Sequence, residues 1–143
     1  MLFTYPSVQI THRKKIEELI GKPFTLKERN ALGGTTSRLL RITEVSIQIY
    51  NLLVVDQEPM YCQIALRTKG ILVHLGSKAD KYALPIPYYK LVVYKGRSEE
   101  YSIHKDTYFV KFEVLKDQVE VHQFLKKITD QKSNQAFTYI DDL

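Results

Sequence analysis

The chain has no tryptophan and one cysteine, Cys62, so it can form neither an intrachain disulfide nor a cysteine-built zinc site. A thiol with no partner suits a reducing compartment, and a cytoplasmic location is the expectation. No stretch approaches the roughly 18 uninterrupted apolar residues of a membrane span. The N-terminus, Met1 to Pro6, lacks the basic region and apolar run of a secretory leader. The sequence therefore predicts a protein that is neither secreted nor embedded in a membrane.

Catalytic signatures are scarce as well. His12, His74, His104 and His122 never fall in H-x-H or H-E-x-x-H spacing, so no local frame presents two imidazoles to one metal. A G-x-S-x-G nucleophile motif is missing. The adjacent Glu99 and Glu100 point to opposite faces of a strand and cannot act as a carboxylate pair. Cys62 shares parity with Ile64 and Leu66 and reads as a core thiol. Gly33-Gly34-Thr35-Thr36-Ser37-Arg38 has the glycines and hydroxyls of a phosphate cradle. It lacks the spacing and lysine of a P-loop and leads into β-rich sequence, so it reads as a flexible hairpin loop. The expectation is a chain with no catalytic residue, no metal and no cofactor.

What is present suffices for one core. The 143 residues are 44% hydrophobic and 26% charged, an ordinary globular balance for one domain. A helical segment at 1–21, a β-rich body at 22–132 and a tail at 133–143 divide it without a linker. The formal charge of +5 is uneven: residues 1–106 hold 16 Lys/Arg against 10 Asp/Glu, and residues 107–143 hold 5 against 6. Such a bias favours anionic partners without the dense clustering of a dedicated nucleic-acid binder.

Periodicity predicts a helix from Thr11 to Ile20, with Ile16, Leu19 and Ile20 on one edge and Gly21 and Pro23 behind it. Its first turn carries Arg13, Lys14 and Lys15, positive charge at the positive end of the dipole. Thr25 to Glu28 fits a capping box or a strand, and we read it as a strand. Arg38 to Val55 alternates as one half-buried strand, with Val45, Ile47 and Ile49 on one parity. From Tyr61 to Leu115 turn signals cut the chain into an antiparallel meander. Within it Pro85 and Pro87 suit an edge, and Tyr88 to Lys95 forms a strand. Asp117 to Glu120 resembles a capping box, and Val121, Phe124, Leu125 and Ile128 recur at helical spacing. The tail adds Phe137 and Tyr139, enough apolar surface to dock on a neighbour.

Six or seven antiparallel strands finished by one amphipathic helix resemble a bacterial pleckstrin-homology-like domain over Tyr61 to Lys132. The residues that carry the resemblance are Arg67 to Val73, Ile86 to Leu91 and Val121 to Lys127. It implies a mainly β, α+β fold: a bent antiparallel sheet or partly open barrel closed by a C-terminal amphipathic helix, with a short N-terminal helix added here. The chain departs from the family in lacking a tryptophan in the closing helix and a Lys/Arg cluster for inositol phosphates. The functional expectation is a non-catalytic module that binds a protein or peptide, or self-associates into a homo-oligomer. Its candidate interaction surface is Arg13, Lys14, Lys15, Tyr88, Lys90, Tyr94, Arg97, Phe137 and Tyr139. The alternative is a nucleic-acid or anionic-lipid binder using the interleaved basic and aromatic residues from Tyr88 to Arg97.

Overall fold

The computed structural model describes residues 3–5, 10–53, 60–76, 81–97 and 99–141. The strands are β1 (Phe3–Tyr5), β2 (Leu40–Val45), β3 (Tyr61–Leu66), β4 (Gly70–Gly76), β5 (Lys81–Pro87), β6 (Leu91–Lys95), β7 (Glu100–Lys105) and β8 (Tyr108–Glu113). The helices are α1 (Ile10–Ile20), α2 (Leu26–Leu32), α3 (Ile47–Leu53) and α4 (Val119–Asp141), and a 3₁₀ turn at Tyr88–Lys90 links β5 to β6. Every described pairing is antiparallel, in the order β1-β5-β4-β3-β2-β8-β7-β6. The sheet is not closed: seven strands form its body, the three-residue β1 lines one edge, and β6 forms the other.

β2 turns the sheet. Leu40 and Arg41 pair with Cys62 and Tyr61 of β3, and from Ile42 the strand pairs with β8 across an irregularity between Ile42 and Glu44. A bulge of this kind bends a strand and raises its twist, letting one strand serve both halves of the sheet. The bent sheet encloses Leu40, Ile64, Val73, Leu84, Ile103, Val110 and Phe112, and α4 covers them with Val121, Phe124, Leu125 and Ile128. At about 1.5–3 kcal/mol per buried aliphatic or aromatic side chain, these four contacts fix α4 on the sheet.

On the outer face α1 packs Ile16 and Ile20 against Leu72 and Ala83. Its carbonyl end is held by the β3–β4 turn: Lys69 N donates to Ile20 O at 2.8 Å, and Arg67 Nη1 donates to Gly21 O at 3.2 Å. Gly21 at φ +81° ends the helix in the left-handed conformation, where a Cβ would lie 2.0 Å from Thr68 Oγ1.

Four readings of the sequence are corrected. Thr25 to Glu28 opens α2 rather than a strand, because both arms of the capping box form: Glu28 N donates to Thr25 Oγ1 at 3.2 Å and Thr25 N to Glu28 Oε1 at 3.0 Å. The single strand expected from Arg38 to Val55 runs from Leu40 to Val45, and its last two residues, Val54 and Val55, lie outside the described residues. Ser46 then accepts from Ile49 N at 3.0 Å and Tyr50 N at 2.9 Å, which starts α3 and breaks the parity. Ile47 is 71% exposed while Ile49 is 1% exposed. The strand expected from Tyr88 begins only at Leu91, after the 3₁₀ turn. The separate tail expected at 133–143 is helical through Asp141 as part of α4.

Candidate docking edge

Hydrogen-bond alternation along an antiparallel pair decides which backbone groups point outward. Gly96 N donates to Glu100 O at 2.8 Å, so Lys95 and Tyr101 form a wide, non-bonded pair. Counting back by twos, Val93 with Ile103 and Leu91 with Lys105 are wide pairs as well. The N–H and C=O groups of Leu91, Val93 and Lys95 therefore point away from β7, past the edge of the sheet. Leu91 is satisfied within the chain: its N–H donates to Tyr88 O, and its carbonyl accepts from Lys132 Nζ of α4. Those of Val93 and Lys95 have no partner among the described residues.

On the opposite side of the sheet, β5 offers little open backbone. Tyr88 N donates to Lys69 O at 3.1 Å, making Gly70 with Pro87, and by alternation Leu72 with Pro85, wide pairs. Both prolines thus stand where their missing N–H costs the β4–β5 ladder nothing. Residues 81–83 are covered by β1, and the outward carbonyl of Pro85 accepts from Lys105 Nζ at 3.2 Å. Lys105 is 7% exposed and reaches across from β7 to make that bond. From Pro85 to Pro87, β5 thus offers an incoming strand no outward donor from either proline, and only the three-residue β1 lies outside it.

Beside the open edge lies an aromatic face. Val92 and Tyr94 are exposed on it, and His104 stands between Tyr94, edge-on at 5.0 Å, and Phe109, stacked at 5.6 Å. Desolvation first, and then the Lys111 ammonium, hold the His104 imidazole below its ordinary pKa. Lys111 is itself paired with Glu44 at 2.8 Å. His104 and Ser102 Oγ share a hydrogen bond at 3.0 Å. Neutral His104 is a flat, weakly polar surface beside an exposed tyrosine, suited to packing against a partner's side chain.

Of the residues singled out from the sequence, Tyr94 and Arg97 are exposed at β6 and its turn. Lys90 is exposed beside them and pairs with Asp106 at 3.5 Å. Tyr88 is corrected: it is 1% exposed, its hydroxyl donates to Arg67 O at 3.0 Å, and it belongs to the core. Arg13, Lys14 and Lys15 stand on the solvent side of α1, which packs on β4 and β5 at the other end of the strand order. Phe137 and Tyr139 lie on the backbone of α4, with side chains outside the described residues. Sequence reasoning named the side chains of this edge but missed its backbone, the part that differs between β5 and β6.

The remaining candidates fall into structural roles. Cys62 is buried, and desolvation pushes its thiol up to about 12. The glycine-hydroxyl segment is not a flexible hairpin loop: Gly33 and Gly34 cap α2, and from Thr35 the chain runs extended along β3 into β2, with Leu66 N donating to Thr35 O at 2.7 Å and Ser37 N to Ile64 O at 2.8 Å. His74 and His104 sit on β4 and β7, with β3, β2 and β8 between them. Among the described residues no group of three His, Cys, Asp or Glu side chains is placed to hold a metal ion. No helix among them is long and apolar enough to cross a membrane. No protein-family model matches this chain, and no curated protein or solved structure matches it.

Proposed function

We propose that the chain is a non-catalytic binding module of pleckstrin-homology-like architecture that takes an extended segment of a partner protein as an added strand on β6. The architecture rests on three meandering strands, β3 to β5, joined through β2 to three more, with α4 over the end of the bent sheet. The observation that carries the function is the asymmetry of the edges. β6 presents the unpaired backbone groups of Val93 and Lys95, whereas β5 is covered by β1, two prolines and Lys105. Main-chain bonds to such an edge supply affinity, and alternate side chains of the added strand supply specificity. Tyr94 and His104 on one side offer an aromatic contact.

Charge selects a foreign strand over a second copy. Lys95 and Arg97 are exposed beside the edge, so a second copy would add one basic strand to another, with like charges within a screening length in any register. An acidic strand with an apolar or aromatic residue facing Tyr94 fits better. The basic turn of α1 supports a nucleic-acid or lipid surface less well, because Arg13 and Lys14 each precede a glutamate, Glu17 and Glu18, by four residues on the helix. A cytoplasmic setting accords with a single, buried, unreactive thiol.

The test is selection from a random-peptide display library, followed by amide mapping. Selected peptides are expected to move the amides of Val93 and Lys95 and to lose binding to Lys95→Pro. That substitution removes only an outward N–H at an exposed position and leaves the β6–β7 ladder whole. Peptides whose shifts map elsewhere, or which bind Lys95→Pro as well as the unaltered chain, would refute the proposal. Concentration-dependent mass of the free protein would instead assign β6 to self-association.

A further inference from the structure

A second surface owes nothing to the β6 edge. Upstream of Ile42, β2 and its lead-in have β3 on one side and, among the described residues, no strand on the other, because β8 joins only at Ile42. The vacant side faces the first turns of α4 across a groove of about 440 Å³. That volume lies within the range of small-molecule sites, about 300–1,000 Å³. Its apolar lining comes from Leu32, Val121 and Phe124.

Both ends of the groove are fastened. Arg38 Nη1 bonds Glu120 Oε1 at 3.0 Å at one end, and Lys127 Nζ donates to Gly34 O at 3.1 Å at the other. Glu120 and Lys127 are seven residues apart on α4, so the groove runs about 10 Å along the helix. Closed ends exclude a through-going peptide and leave room for a compact ligand. Thr36 and Ala65 form a wide pair, as the bonds at Thr35 and Ser37 require, so the Thr36 N–H and C=O turn toward the groove.

The two cations are not equivalent. Arg38 has a carboxylate partner. Lys127 has a neutral carbonyl and the Phe124 ring, 5.8 Å from its Nζ, and no carboxylate among the described residues. An ammonium with one of three donors used, next to an apolar lining, is complementary to an anionic head on an apolar body. We propose that this groove binds a small organic anion, a carboxylate or phosphate monoester, with its head on Lys127 and its body over Leu32, Val121 and Phe124.

The test is titration of the full chain with octanoate, octyl phosphate and octylamine, followed by backbone amide shifts. At least one anion is expected to give saturable shifts at Gly33, Gly34, Thr36 and residues 120–127. A response to octanoate alone assigns an organic acid, and a response to octyl phosphate alone assigns a phosphate monoester. Lys127→Met keeps the apolar stem and removes the charge, and should weaken binding by about tenfold, as expected for loss of a charge-assisted bond. Lys127→Arg should restore it. Lys126→Met, on the exposed side of the same turn, should bind like the unaltered chain. No saturable shift from either anion, equal binding of octylamine, or full binding by Lys127→Met would each overturn the proposal.

Discussion

Gly70 is the position where one added methyl group should do the most damage. Its backbone angle is ordinary, so an alanine is excluded by space rather than by conformation. An added Cβ would lie 2.4 Å from the carbonyl oxygen of Ile86 and 2.6 Å from Cγ2 of Ile20. Comfortable contacts between such atoms are about 3.5 Å or longer, so a neighbour must move by roughly 1 Å. Ile86 is held opposite Ile71 in the β4–β5 ladder, so α1 is the element that can yield. Overpacking of this kind costs about 1–3 kcal/mol. Lifting α1 also exposes Ile16 and Ile20, each worth about 1.5–3 kcal/mol when fully buried. Against this stands a gain of about 0.4–1 kcal/mol from stiffening the unfolded chain. The net expectation for Gly70→Ala is a loss of about 2 kcal/mol or more in urea unfolding, with faster amide exchange in α1. Gly34→Ala is the control: its Cβ would meet nothing within 4 Å, but φ is +100°, so it should cost about 1 kcal/mol from backbone strain and leave α1 undisturbed. A Gly70→Ala protein within about 0.5 kcal/mol of the unaltered chain would refute the close-approach argument, since that is the scatter of inert surface changes.

Two further outcomes follow from buried titratable groups. His74 and His104 are both held below their ordinary pKa, first by desolvation and then by Arg67 and Lys111 respectively. The unfolded chain therefore takes up protons at about pH 6.5, where the folded chain does not. Their contribution to stability is complete above that pH and is lost as pH falls toward the folded values; Tm measured from pH 8 to 5 should drop below about pH 6.5, and less so in a His74→Gln/His104→Gln protein. Glu28 and Glu120, held low by bonds from Thr25 and from the Glu120 backbone with Arg38, act in a separate window below their ordinary value of 4.5. Cys62, with its thiol pushed up to about 12, should resist thiol reagents in the folded chain and react only as the core opens, at a rate that rises with urea. Labelling as fast as a free thiol in native buffer would place Cys62 outside the core.

The meander from Tyr61 to Leu115 and the apolar stripe of α4 were legible because each rests on one period and local turn residues. Lys69-Gly70, Gly96-Arg97 and Asp106-Thr107 mark reversals that the register confirms, with Leu66 opposite Ile71, Lys95 opposite Tyr101 and Lys105 opposite Tyr108. The stretch from Lys22 to Asp56 was misread because its apolar residues fit two periods. Leu26 at 68% exposed and Ile47 at 71% exposed are apolar side chains that no core claims, so parity there carried no information. The better guides were the capping residues: Thr25 with Glu28, and Ser46 ahead of Ile47. Tyr88 was misplaced because a 3₁₀ turn rotates it inward, and three residues of turn leave no periodic trace in a sequence.

The edge that we assign to docking was half visible. Pro85 and Pro87 share parity, and two prolines on one parity of a strand can be tolerated only where that parity faces no neighbour. The prolines thus marked this end of β5 as a border and showed which of its residues look outward. For β6 no such mark exists, because an edge is defined by what fails to pair with it, and Val92-Val93-Tyr94 would suit a central strand as well. The same reasoning explains why the chain tolerates one open edge. β6 is five residues long, Leu91 is already bonded at both backbone groups, and Lys95 ends the strand with a charge. Along β6, open backbone is thereby confined to Val93 and Lys95, enough to register a short partner strand and too little to template a long one.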